Sequence, residues 1–364
     1  MTKARTNASA SPAAGGNMII NGSMNISQRS ASVAGLGANS TTSYPTVDRF
    51  KHFVNGTTAG RFTSSQTADG PNGISANCLK ILCTTADTSI AAGERFDIFQ
   101  IIEGQNLQRI GKGVVGAKQV TVSFYVKASG AFTFGLELYD NTHGRQMTQL
   151  FDTTTAWNRI ELTYPADVDD GSSPIVDTNA AGLQVGFWLH AGTTYTGGTL
   201  NNAAFNNDTA ANRAAGIDSI FSATNNAIYL TGLQVEVGPV ASEFEQENIG
   251  VTLAKCQRYY YEHTSATNQI IAQAAAYEDS SVYGVVHFPT PMRAPPALIA
   301  PEVSNGYSFY RAAEADFVND FLMQGATTTA GQIYNSSDVN SSNGDGGFIW
   351  QISNSSLIAF NAEL

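Results

Sequence analysis

Oily side chains recur at every second position along several stretches of this chain, and that spacing limits its fold more than any other feature. From Val120 to Lys127, the residues Val120, Val122, Phe124 and Val126 fall on one face of an extended strand, with Thr121, Ser123, Tyr125 and Lys127 on the other. Phe132, Phe134, Leu136 and Leu138 repeat the pattern, as do Ile160, Leu162 and Tyr164, and then Leu183, Val185, Phe187 and Leu189. A strand with one oily face buries it against another sheet, so two sheets packed face to face are expected. Hairpin-type dipeptides punctuate the runs: Asn55-Gly56, Asp69-Gly70, Asn72-Gly73, Asp170-Gly171, Asn305-Gly306 and Asn343-Gly344. Ile228 and Leu230 are in phase, whereas Leu233, Val235 and Val237 have slipped by one, and Gly232 between them predicts a β-bulge or strand break. Alanines between Asp208 and Phe221 predict one or two helical turns, interrupted at Gly216.

The chain has 364 residues, enough for two domains plus a tail at roughly 150 residues per domain. Residues 1–43 read as a tail, because Thr6 to Gly16 holds only small and polar residues with nothing to bury. Residues 44–247 form the first β-rich domain, and Val251 to Tyr261 opens a second, spanning 248–364. Pro289, Pro291, Pro295 and Pro296 mark an edge or loop, since proline cannot donate to a central ladder.

Charged residues make up only 13% of the chain, so its surface is mainly neutral and polar. Nineteen Lys plus Arg against 30 Asp plus Glu leave a net charge of -11, which disfavours nucleic acid and anionic membrane surfaces as partners. The opening Met1-Thr2-Lys3-Ala4-Arg5 leads into polar residues without an apolar stretch, so no secretory signal is expected. The three cysteines Cys78, Cys83 and Cys256 read as buried thiols, because a zinc site at Cys78 and Cys83 has no further ligands nearby. No cofactor and no metal is expected. A neutral polar surface on a chain without an export signal fits a virion component made in a host cytoplasm and released by lysis.

Four motifs then stand together. NMIINGSMNISQRS at Asn17 to Ser30, followed by YPTVDRF at Tyr44 to Phe50, resembles the opening of many bacteriophage tail-fibre and virion structural proteins. YLTGLQVEVGPVASEFE at Tyr229 to Glu245 is similar to the strand that closes the jelly-roll module of those families. LAKCQRYY at Leu253 to Tyr260 and FPTPMRAPP at Phe288 to Pro296 resemble the signature of their C-terminal domain; Phe50 stands where Trp is usual and Ser242 where Thr is usual. The resemblance implies an all-β chain. Its parts are an extended N-terminal tail that anchors to other virion proteins, a jelly roll of carbohydrate-binding-module type, and a smaller C-terminal β-sandwich, often in a homotrimer. It implies no enzymatic activity.

The chemistry-bearing residues are few. Glu137 and Glu161 on polar strand faces, with Asp140 at a strand end, make a glycosidase pair conceivable, but solvated carboxylates are the ordinary case. Asp167, Asp169 and Asp170 with Gly171 form an acidic loop that reads either as a solvated turn or as oxygen ligands for Ca²⁺. The aromatics say more. Tyr125, Tyr139, Trp188 and Tyr229 project from the faces opposite the core, where a soluble monomer favours polar groups. They either stack on sugar rings, with Gln184, His190, Arg159 or Glu161 bonding the hydroxyls, or are covered by a neighbouring subunit or domain. Trp157 is expected in the core. At least one of Tyr259, Tyr260 and Tyr261 must face a partner or cap the core edge. Tyr307, Phe309 and Tyr310 read as a distal tip or as packing under a loop.

The function expected is that of a virion tail fibre or appendage touching host-surface glycans, with weak single sites multiplied over many copies. The alternative is a capsid-attached fibre or decoration protein whose role is architectural. A carbohydrate-binding accessory of a secreted enzyme is a third class.

Overall fold

A computed structural model describes residues 16–38, 42–56, 59–169, 173–312 and 314–364. Among these the chain is all-β and divides into two compact units, one ending at Ile249 and the other beginning at Gly250.

Unit 1 is a jelly-roll sandwich. One sheet is built from β1 (Ser32–Leu36), β4 (Arg61–Thr67), β5 (Cys78–Thr85), β13 (Ala227–Val237), β7 (Val120–Ala128) and β10 (Asn158–Tyr164), in that order. The other runs β12 (Asn206–Asn207), β9 (Arg145–Asp152), β8 (Thr133–Asp140), β11 (Ala181–Ala191), β6 (Arg95–Glu103), β3 (Lys51–Asn55) and β2 (Thr42–Ser43). The strand pairs are antiparallel, and the chain passes repeatedly from one sheet to the other, as in double-sheet Greek-key folds. The alternating residues meet as expected: Val122, Phe124 and Val126 from the first sheet share one core with Phe134, Leu136, Leu138, Val185 and Phe187 from the second. Phe124 meets Phe151 and Phe187 edge-on, each at 5.0 Å between ring centres. The bulge at Gly232 is present: register against β7 shifts between Thr231 and Gln234, and Gly232 takes φ +61°, which glycine adopts without strain.

The expected tail is shorter than 1–43. Residues 1–15 lie outside the described residues, but Met18, Ile19, Met24 and Ile26 are buried and most of them join the core. Hydrogen bonds fix this segment to the bulged strand: Met18 N donates to Val235 O at 3.0 Å, and Leu233 N to Gly22 O at 3.0 Å. The Asn17 side chain ties the same place, donating to Leu233 O and accepting from Val235 N. Asp48 accepts from the backbone and side chain of Gln28. Composition hid this, because four apolar residues among polar ones bury little until a strand edge supplies their hydrogen bonds.

Unit 2 opens with helix α1 (Ile249–Gln257), where the β-rich reading expected extended chain; Thr252 and Cys256, one turn apart, are its buried residues. A three-stranded sheet follows the order β14 (Tyr260–Thr264), β23 (Ile358–Asn361), β17 (Ala297–Ile299). A seven-stranded sheet runs β19 (Glu314–Val318), β18 (Tyr307–Arg311), β22 (Gly346–Gln351), β15 (Gln269–Glu278), β16 (Ser281–His287), β21 (Ala330–Asn335), β20 (Leu322–Gln324). The two enclose a core containing Ile271, Val286, Phe309, Ile349 and Phe360. Tyr259 and Tyr260 are buried and Tyr261 is half-buried, its hydroxyl 2.8 Å from His263 Nδ1. The expected tip is corrected for two of its three residues. Tyr307 and Phe309 are fully buried, because β18 turns them inward and Tyr307 OH donates to Leu357 O at 3.1 Å; Tyr310 alone faces out.

Candidate functional site

The expected contact residues separate onto the outer faces of the two sheets of unit 1. Tyr125 and Tyr229 lie on the first. Tyr229 is flanked in register by Lys80 on β5 and Lys127 on β7, whose ammonium groups sit 5.3 and 4.7 Å from its ring centre. Trp157, expected in the core, is instead half-exposed beside it, with its indole N–H donating to Asp69 O at 3.1 Å. Lys127 also covers the Trp157 ring at 5.2 Å and pairs with Asp69 at 2.8 Å. This patch satisfies its own rings with lysines.

Tyr139, Gln184, Trp188 and His190 share the outer face of the second sheet, since β8 and β11 are neighbours with Tyr139 opposite Gln184 and Gly135 opposite Trp188. Trp188, His190 and Gln184 are nevertheless buried, and the reason is the chain itself. The segment between β11 and β13 folds back over this face. Asn201 links to β9 on both sides, accepting from Thr148 N at 2.9 Å and donating to Gln146 O at 2.6 Å, while Asp218 N donates to Thr133 O at 2.7 Å. The expected turns inside it are short 3-10 turns at Ala210–Asn212 and Ile220–Ser222. Neither a sugar nor a second subunit is therefore needed to cover Trp188 and His190.

A buried charge cluster clamps this segment. Arg213 grips Glu137 in a two-pronged pair, Nε to Oε1 at 2.8 Å and Nη2 to Oε2 at 2.7 Å, and the Trp188 indole donates to the same carboxylate at 3.1 Å. The Arg213 guanidinium also lies over Tyr139 and Trp188, 4.7 and 5.2 Å from their ring centres. Burial pushes its pKa down, but the Glu137 carboxylate holds it above the ordinary arginine value. Alongside, Arg95 pairs with Asp97 at 2.6 Å, and burial keeps the Asp97 carboxyl above its usual range although Arg95 pulls it down. His190 bonds Ser219 Oγ at 2.7 Å and Glu94 at 3.1 Å, and burial lowers its pKa against the pull of Glu94.

Next to the clamp runs a row with unmet hydrogen-bonding capacity. Gln184, Tyr139 and Gln146 lie side by side across β11, β8 and β9, with Thr148 one step along β9 opposite Glu137. Among the described residues, both amide atoms of Gln146, the hydroxyl of Thr148 and Nε2 of Gln184 are buried without a hydrogen-bond partner. Buried polar atoms are otherwise almost always paired, so each such group calls for an explanation. Tyr139 is half-buried at the rim of the row, its hydroxyl 3.5 Å from Asp208. Gln146 and Thr148 were missed in the sequence because their alternation with Met147 reads as an ordinary solvent face.

The carboxylates do not assemble a hydrolytic pair. Glu137 is locked by Arg213 on the outer face of one sheet, whereas Glu161 pairs with Arg159 at 2.9 Å on the outer face of the other, so the two cannot flank one bond. Asp140 is buried against Lys112 at 2.7 Å. Asp167, read as a solvated turn or a calcium ligand, is instead buried between Lys112 at 2.6 Å and Arg145 at 2.7 Å, which hold its carboxyl below the usual range against the effect of burial. Asp170 lies outside the described residues. Among the described residues no cluster of metal-ligating side chains occurs, and the cysteines Cys78, Cys83 and Cys256 are buried free thiols.

No protein-family model and no curated protein matches this sequence. Among solved structures it is similar to a family 4 carbohydrate-binding module, at 15% identity and a TM-score of 0.30 over 60% of this chain and 98% of that one. The carbohydrate-binding module TmCBM61 in complex with β-1,4-galactotriose matches at 9% identity and a TM-score of 0.29 over 61% of this chain and 99% of its own. A xylan-binding domain from Paenibacillus barcinonensis matches at 11% identity and a TM-score of 0.27 over 63% and 100% of the two chains.

Proposed function

We propose that this chain is a non-enzymatic structural protein of a bacteriophage virion, a tail fibre or tail appendage, whose jelly roll contacts host-surface glycans through the outer face of its second sheet. The observation that carries the glycan reading is the half-exposed Tyr139 ring at the rim of a row in which, among the described residues, amide and hydroxyl groups of Gln184, Gln146 and Thr148 lack protein partners. Gln146 and Thr148 lie fully beneath the covering segment, so a sugar stacked on Tyr139 reaches them through bridging water. Sugar hydroxyls both donate and accept, which is what a glutamine amide and a threonine hydroxyl require. The virion reading rests on the four motifs and on a neutral polar surface. The paired state of Glu137, Asp140 and Asp167 supports a binding role over a hydrolytic one.

Binding of the purified chain to host-surface polysaccharide tests the glycan reading. Gln146→Leu removes unmet polar atoms from a buried site, so it leaves stability unchanged or raises it while weakening binding; Tyr139→Ala weakens binding as well. A polysaccharide bound equally by the wild type and both variants refutes this placement. Anchoring is tested by deleting residues 1–15 alone, because residues 16–38 belong to the sandwich; unchanged incorporation into particles refutes it.

A further inference from the structure

The seven-stranded sheet of unit 2 presents an aromatic surface built from residues of unit 2 alone. Its inward residues form the core, and its outward residues include several large exposed apolar side chains where a solvated sheet face is ordinarily polar. Cross-strand register places Phe317, Ser308, Trp350 and Ile270 in one row, and Ala315, Tyr310, Phe348 and Gln273 in the next. Tyr310 is 43% exposed, Phe348 47%, Phe317 52% and Ile270 50%.

Part of this face is concave. Asn268, Tyr310, Phe348 and Trp350 line a cleft of about 330 Å³. The Tyr310 and Trp350 rings stand at 73° with centres 5.9 Å apart, so they form two walls of a corner, with Phe348 opposite Tyr310 on the adjoining strand. Asn268 immediately precedes β15 in a left-handed conformation, φ +64°, its backbone N–H fixed to Gln351 O at 2.8 Å. Among the described residues its side-chain amide has no hydrogen-bond partner, which leaves one donor and acceptor pair over an otherwise apolar cleft.

We infer that this cleft is a saccharide-binding site of unit 2 that takes a neutral pyranose ring. A pyranose has an apolar C–H face and a polar rim; the corner of two rings receives the face and one edge, and the amide meets a hydroxyl. None of the four lining residues is charged, and the chain carries a net charge of -11, so an anionic sugar gains nothing here and is repelled at long range. The volume lies at the small end of ligand pockets, as a site for one or two rings requires. This site is separate from the row around Gln146. Two weak sites on one chain bind a polymeric glycan with a raised effective concentration.

Saturation-transfer NMR on the full chain, with the methyl pyranosides of glucose, galactose and mannose as probes, tests the inference. The expected result is transfer to ring C–H protons of at least one probe, weakened about tenfold or more by Trp350→Ala and by Phe348→Ser, as for removal of a central aromatic anchor. Both side chains are partly exposed, and Phe348→Ser serves where Trp350→Ala disturbs folding. Transfer that persists in Gln146→Leu and Tyr139→Ala assigns the signal to unit 2 even where the jelly-roll reading fails. Transfer lost only in those two variants overturns the unit 2 site and leaves the jelly-roll reading standing. No transfer to any probe overturns it too, as does concentration-dependent self-association that Phe348→Ser abolishes without a saccharide signal, because the face is then covered by a second copy.

Discussion

Replacing Arg213 by methionine keeps the bulk of the side chain and removes its charge, leaving Glu137 buried without its paired cation. Glu137 is fully buried and Arg213 nearly so, and both prongs of the pair are short. Breaking such a pair by deleting one partner costs about 3–5 kcal/mol, because the remaining charge stays desolvated. For a unit of this size each kcal/mol moves the melting midpoint by roughly 2–4 °C, so a fall of about 6–20 °C is expected in the jelly-roll transition. Calorimetry of the full chain reads it. The double variant Glu137→Leu with Arg213→Met removes both charges and returns most of the loss, since apolar replacements of a buried pair are commonly neutral. Hydrogen exchange adds a second readout: the amides of Thr148 and Asp218, bonded to or within the covering segment, exchange faster in the single variant. A loss below about 1 kcal/mol, the range of solvated pairs, refutes the reasoning, because the pair is then open to water and does not clamp the segment.

Acid stability carries a histidine signature. His52 is buried against Phe62 and Phe96 with neither ring nitrogen partnered among the described residues, and burial lowers its pKa to about 3. The unfolded chain takes up a proton below about pH 6.5 that the folded chain refuses, so this group's contribution is intact above that pH and is lost as pH falls toward 3, by up to ~1.4 kcal/mol per pH unit. His52→Phe therefore melts less steeply with acid than the wild type between pH 6 and 4; parallel curves refute the assignment. At Gly22 an added Cβ meets the carbonyl oxygen of Leu233 at 2.1 Å, a backbone atom that cannot turn aside. Gly22→Ala is expected to cost about 1–3 kcal/mol and to speed proteolysis between Asn17 and Ser30; unchanged cleavage shows that the segment is held elsewhere.

The alternation of Val120 to Val126, Phe134 to Leu138 and Leu183 to Leu189 determined the sandwich, because a two-residue period leaves a strand one way to hide its oily face. The slip across Gly232 likewise fixed the bulge, a purely local matter of phase and φ. What the alternation does not carry is what lies over the other face. Trp188 and His190 point outward from their strand, as their positions require, yet they are buried, because a segment beginning just beyond β11 returns over them and places Arg213 against Glu137, 76 positions away in sequence. Whether Tyr307 and Phe309 form a tip or pack inward stayed open in the sequence for the same reason, since the inward face of a short strand is set by its neighbours in the sheet. The unmet groups of Gln146 and Thr148 and the corner between Tyr310 and Trp350 exist only once strands are laid side by side. Periodicity records which residues share a face, and the long-range return of the chain decides whether that face meets protein or water.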